Sequence, residues 1–226
     1  MKKLLLTTFL TVLTAITFAQ GYYGGSDTKI TFGIMGGANM AFFQAKLPPG
    51  SMVSNDPTSV GSIGINADIK FSDYLSVRPG IFYSGKGGDI QFTAPDVNGL
   101  DHTVENKISL YYLEVPVTLI GHLPLSDSFN ILVGAGPYVA MGLNGKNVNT
   151  DNFGSQTNKI KFGSNGDLKS TDFGATGLLG FETESGIIVG VNYDMGFSNI
   201  LNKSNSGEGL QSLKNSAIYV SIGFNL

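Results

Sequence analysis

The chain contains no cysteine and no tryptophan, and only two histidines among its 226 residues. Without cysteine there is no disulfide scaffold, no thiolate metal site and no cysteine nucleophile. Two histidines cannot supply a multi-histidine metal centre. Charge is scarce too: Asp, Glu, Lys and Arg make up 14% of the chain, against about 25% in an average soluble domain. A net charge of −3 leaves no basic face for nucleic acid. After residue 19 no run approaches the roughly 20 apolar residues of a membrane-spanning helix. What is plentiful is glycine, 31 residues, in a chain that is 42% hydrophobic and 11% aromatic. Such a composition can bury a large apolar surface and argues against disorder.

The first residues read as a leader. Met1-Lys2-Lys3 is basic, Leu4 to Phe18 is apolar and broken only by threonine, and Thr17 and Ala19 occupy the −3 and −1 positions before Gln20. This is the pattern of a cleaved signal peptide over 1–19, too short for a spanning anchor. The expected division is therefore 1–19 as leader, 20–28 as a short periplasmic segment, and 29–226 as the folded domain. Export without cysteine suits a Gram-negative envelope better than a disulfide-rich secreted domain.

From Lys29 onward the hydrophobic period is 2, the signature of strands. Between Gly61 and Phe71 the residues Ile63, Ile65, Ala67, Ile69 and Phe71 alternate with Ser62, Gly64, Asn66, Asp68 and Lys70. Ile218, Val220, Ile222, Phe224 and Leu226 alternate in the same way with Tyr219, Ser221, Gly223 and Asn225. The pattern predicts eight strands, near 29–42, 59–71, 74–85, 107–120, 128–142, 171–184, 186–199 and 215–226. Short joints at Ser72-Asp73, at 121–127 and at Ser185 alternate with long polar loops at 43–58, 86–106, 143–170 and 200–214. Short turns at one end and long loops at the other, over an even number of strands, are the plan of an outer-membrane barrel. The expected fold is all-β: an eight-stranded antiparallel up-and-down transmembrane β-barrel with four long extracellular loops and short periplasmic turns.

The two faces of each strand agree with that plan. If Arg78 and Glu114 point inward, then Val77, Ile81 and Tyr83 point outward, as do Tyr111, Leu113, Val115, Val117 and Leu119. The inward parity collects Asp68, Lys70, Arg78, Glu114, Asp172, Glu182 and Asp194, a lumenal polar network. An Arg or Lys facing lipid at the midplane costs about 2–4 kcal/mol, so charges kept to one parity carry information. Outward aromatics gather at both strand ends: Phe32, Phe71, Phe129, Phe181 and Phe224 at one, Tyr83, Tyr111, Phe173 and Phe197 at the other. Two aromatic girdles are what a bilayer demands.

Tyr112-Leu113-Glu114-Val115-Pro116-Val117 resembles the Tyr-Leu-Glu-Ile-Pro signature of the PorT-like outer-membrane β-barrel proteins of Bacteroidetes. Gly136-Pro137-Tyr138 is similar to that family's Gly-Pro-Tyr strand, and Asp172-Phe173-Gly174 to its Asp-Phe-Gly strand start. Phe32 to Asn39 is similar to its first strand. The resemblance implies a membrane barrel and, for part of the family, a place in envelope protein export. Proline removes a ladder donor, so Pro79, Pro116 and Pro137 predict local breaks or bulges.

Other chemistry competes for the same residues. Asp172-Phe173-Gly174 also spells a kinase metal-binding motif, but no other kinase element is present. The glycine-rich stretches Gly33 to Gly37 and Gly134 to Gly136 lack the helix and the Lys-Ser/Thr pair of a phosphate loop. His102, in a long loop, and His122, in a short turn, fall at opposite ends of the barrel. A lipid-modifying serine site would join His102 to Ser84 or Ser109, and neither serine lies in an elbow motif. Arg78 and Glu114 on consecutive strands suggest a lumenal ion pair, with Lys70 and Asp68 nearby. Eight strands leave an interior that side chains just fill, so a packed polar core is favoured over a channel. Lys146, Lys159, Lys161 and Lys169 in the loops are either a solvated surface or a contact for anionic lipopolysaccharide.

The sequence thus predicts an integral outer-membrane barrel with a structural or surface-interaction role, no catalysis and no cofactor. The alternatives are an export-system component, a small pore or a lipid-modifying barrel enzyme. Expected partners are outer-membrane lipid and lipopolysaccharide, the barrel-assembly machinery during biogenesis, and a protein bound through the loops.

Overall fold

The computed structural model describes residues 29–46, 53–95, 101–151, 154–202 and 211–226. The expected leader 1–19 and segment 20–28 lie outside the described residues. Ten strands follow in order. They are β1 (Lys29–Lys46), β2 (Val53–Asp56), β3 (Thr58–Ser72), β4 (Leu75–Pro95), β5 (Asp101–Ser126), β6 (Phe129–Asp151), β7 (Gly154–Ile160), β8 (Thr171–Thr183), β9 (Ile187–Gly196) and β10 (Ser212–Asn225). Eight of them close an antiparallel ring in the order β1-β3-β4-β5-β6-β8-β9-β10, sealed where β10 pairs β1. β2 and β7 lie outside the ring, on β4 and β6. A closed ring pairs its own backbone groups and leaves no edge to lipid.

The alternation in the sequence is what turns the ring inside out. Ile65, Leu179, Val220 and Ile222 are 61%, 59%, 58% and 64% exposed. Residues of the inward parity, Asn66, Asp68, Asn192 and Ser221, are buried. The exposed band is apolar and the interior polar, as a membrane barrel requires. Phe32, Phe71, Phe129, Phe181 and Phe224 are exposed at the short-turn end, and Tyr83, Phe173 and Phe197 at the loop end. There Tyr83 stacks on Tyr111 at 5.2 Å and 9°.

Two sequence expectations need correction. First, the intervals 86–106 and 143–170 are largely strand, not loop. β4, β5 and β6 run to 21, 26 and 23 residues, although crossing a bilayer takes only about 9–11. Paired β4 and β5 extend to Pro95↔Asp101, and paired β6 and β7 to Asp151↔Gly154. Beyond the membrane the outer face of a strand no longer meets lipid and need not be apolar, so the period-2 signal fades while the ladder continues. Second, β5 runs on to Ser126, so His122 is a strand residue and not part of a turn. The prolines do break the pairing, as their missing donors predict, and they do so without bulging. Pairs are missing between Asn66↔Gly80 and Ile69↔Val77, and between Pro116↔Tyr138 and Leu119↔Ala135, yet the register on either side is unchanged. The bulges fall elsewhere, at Lys70/Ser72, Tyr111/Tyr112 and Pro124/Ser126.

The loop end of the ring is covered. Leu168, Ile200 and Leu201, from the segments after β7 and β9, join Phe43, Leu110, Tyr112 and Tyr138 in one buried cluster. Backbone bonds from Lys169 to Ile200 and from Ile200 to Leu213, both 2.8 Å, hold the cover in place. Asn202 donates to the carbonyls of Gly163 and Gly166 at 2.7 and 2.6 Å.

Candidate functional site

The lumen holds two polar clusters, stacked along the barrel axis. The upper one is built around Lys86, which is 0% exposed. Its ammonium lies 2.6 Å from Glu114 on β5, 3.7 Å from Asp172 on β8 and 3.7 Å from Asp194 on β9. It also sits 3.7 Å above the Tyr138 ring, a cation–π contact in a desolvated place. Asn215 on β10 donates to Asp172 at 2.9 Å and to the Tyr112 hydroxyl at 3.2 Å. Ser198, in the cover, donates to the other oxygen of Asp172. Strands far apart in the chain are tied to one cation.

The lower cluster lies toward the short-turn end. Arg78 on β4 donates to Asp68 on β3 at 2.5 Å. His122 meets Ser76 at 2.8 Å through Nε2 and Glu182 at 3.3 Å through Nδ1. Lys70 reaches Glu182 at 3.5 Å, and Asn225 donates to the same carboxylate at 2.8 Å. On the same rungs Met35, Ile120, Leu132, Leu178 and Ile188 form a buried apolar cluster. Between the two polar clusters a cavity of about 40 Å³ is bordered by Asn66, Arg78, Thr118, Thr176, Asn192 and Tyr219. That is room for water only.

The seven residues expected in the lumen all point inward; Lys70 is half-buried and the other six are buried. Their pairing differs from expectation. Glu114 does not bind Arg78: it binds Lys86, while Arg78 takes Asp68 and Lys70 takes Glu182. Lys86 escaped the sequence reading because Gly85-Lys86-Gly87-Gly88 looks like a turn. A signal was present, since Lys86 keeps the inward parity of Arg78.

The family-motif residues converge on the upper cluster. Tyr112, Glu114, Tyr138 and Asp172 surround Lys86, whereas Leu113 is exposed on the outer face. Gly136 and Gly174 sit where strands press close: a Cβ on Gly136 would overlap the Val117 carbonyl, and one on Gly174 the Met195 carbonyl and the Tyr138 ring. Pro116 borders the cavity, and Pro137 pairs Ala175.

The serine chemistry can now be placed. The backbone of His102 pairs Ala94 near the tip of the β4–β5 ribbon, far from Ser84, which pairs Tyr112 and Ser62. Ser109 stands between them on β5, opposite Gly87. No site joins them. Ser76–His122–Glu182 does have the connectivity of a serine–histidine–acid relay. Its serine is 0% exposed and does not border the cavity, so no carbonyl can approach it. Among the described residues no group of three acidic or histidine side chains is arranged to hold a metal ion.

A family model described as outer membrane protein beta-barrel domain matches residues 18–202. No curated protein matches the chain. Among solved structures, the attachment invasion locus protein Ail of Yersinia pestis is 9% identical, with 87% of this chain and 98% of that one covered and a TM-score of 0.40. The outer membrane protein OprG of Pseudomonas aeruginosa is 14% identical, covers 89% and 98%, and has a TM-score of 0.45. Neisserial surface protein A is 11% identical, covers 88% and 99%, and has a TM-score of 0.44.

Proposed function

Because the chain belongs to the outer membrane protein beta-barrel domain family, we propose that it is a sealed barrel with a structural or surface-interaction role and no catalysis. Its short turns face the periplasm, and its ribbons β4–β5 and β6–β7 stand above the outer leaflet. In this reading the leader is cleaved after Ala19, the assembly machinery inserts the barrel, and the lumenal clusters serve its stability.

One observation carries the reading: Lys86 is fully buried against Glu114 beneath a cover of Leu168, Ile200 and Leu201. An ion entering from the loop end would have to part an apolar cluster, then displace a lysine paired to a carboxylate in a low-dielectric setting. The test is planar-bilayer recording of the purified chain. The expected trace is flat, and discrete, voltage-stable openings would establish a pore instead.

A second reading, a PorT-like component of an envelope export system, is supported by the convergence of three motifs from β5, β6 and β8 on Lys86. It requires stable envelope partners. Crosslinking in whole cells, followed by purification of the chain, decides between an export component and a barrel acting alone.

A further inference from the structure

The outer face of the β5–β6–β7 ribbon carries a feature that the sealed lumen does not explain. In the register, Lys146 on β6 stands directly opposite Lys159 on β7, with Ser109 of β5 on the far side of Lys146. Directly opposed residues of an antiparallel pair share one face, with Cβ atoms about 4.5–5.5 Å apart, and like charges placed so repel. Both lysines are exposed. Among the described residues neither has a carboxylate within 4 Å.

Their neighbours fix which way they point. Ile108 and Ile160 pack inward against the buried cluster beneath the cover. Lys107 and Lys159 therefore project outward, away from the barrel axis. One row nearer the membrane lies Tyr111 opposite Asn144. Asn144 donates to the Tyr83 hydroxyl at 3.5 Å, and Tyr83 stacks on Tyr111. This is the aromatic girdle at the outer interface. Adjacent same-face rows are two residues apart, about 7 Å along a strand, and less in height because the strands tilt. The paired ammonium groups thus stand just above the hydrocarbon boundary, at the depth of lipid headgroups.

We propose that Lys146 and Lys159, flanked by Asn144, bind a phosphate of the lipid A headgroup in the outer leaflet. A phosphate set between the two ammonium groups converts their repulsion into two charge-assisted contacts, while the acyl chains lie on the apolar band below Tyr111. The inference rests on the reading of the loop end as the cell surface, which needs its own readout.

The experiment uses the full-length chain purified from outer membranes in mild detergent. Native mass spectrometry follows its titration with bisphosphorylated lipid A and with phosphate-free lipid A. The wild-type chain is expected to prefer the phosphorylated lipid. The K146A/K159A variant is expected to lose about thirtyfold in affinity for it, at about 1 kcal/mol per lysine near an anionic surface, and K146R/K159R to keep most of it. All variants should retain the heat-dependent gel shift of a folded barrel. An epitope inserted in the β6–β7 turn and detected on intact cells tests orientation separately. If the epitope is hidden, the surface assignment fails. If it is detected but the alanine variant binds phosphorylated lipid A as tightly as wild type, or wild type does not distinguish the two lipids, the phosphate site is overturned while the sealed barrel stands.

Discussion

Lys86 faces three carboxylates in a fully buried site, so its loss acts on all of them together. The K86M variant leaves Glu114, Asp172 and Asp194 without their shared cation, a defect of about 3–5 kcal/mol for a broken buried pair. The temperature at which the folded band disappears from a cold-loaded gel should fall sharply, and adding E114Q should restore part of it. On the ribbon above the membrane, burial and a hydrogen bond with Glu105 raise the Asp89 carboxyl from 3.8 to about 6. Between about pH 4 and pH 6 the folded chain then holds a proton that the unfolded chain has released, so stability falls as pH rises through that window. D89N should remove this slope in urea titrations run at several pH values. Which side chains face inward could be read from parity alone: Asp68, Arg78, Glu114 and Asp194 all lie where alternation puts them. Their partners could not be read, because Lys86 and Asp172 come from strands on different sides of the ring.

At the scale of elements, the membrane part of each strand was legible and the aqueous part was not. Val189 and Val191 alternate with Gly190 and Asn192 because one face meets lipid and the other the lumen. The stretch from Asn147 to Asp151 has water on its outer face and no such constraint, and it reads as loop although it is paired strand. Those upper pairs hold the ribbons upright but lie outside the closed ring. Replacing residues 148–157 with a two-residue turn should therefore leave the barrel folded, with its heat-dependent gel shift intact; loss of the shift would show that the ribbon is needed to close the ring. The prolines behave in the same spirit. Each removes a donor from the ladder, and the pairs beyond it resume in the same register.

For the whole molecule, the decisive quantity is which face meets lipid. Val220 is 58% exposed in the middle of β10, and an arginine there should cost about 2–4 kcal/mol. Urea unfolding of V220R in lipid vesicles should show that loss, whereas S221T, on the inward face beside Asn192, should not. The low charge and high glycine content have their place in this scheme: charge is excluded from the outer band, and glycines such as Gly136 and Gly174 let strands and the Tyr138 ring approach. That eight strands make up the ring follows from local alternation and from the spacing of turns, and is legible in the residues before any folding. The folded ring alone settles that Lys86 rather than Arg78 neutralises Glu114, that the loop end is covered by Leu168 and Ile200, and that Lys146 confronts Lys159. Alternation assigns a side chain to a face, but its partner across a lumen is set by strand register and the height of each rung, and those exist only once the ring has closed.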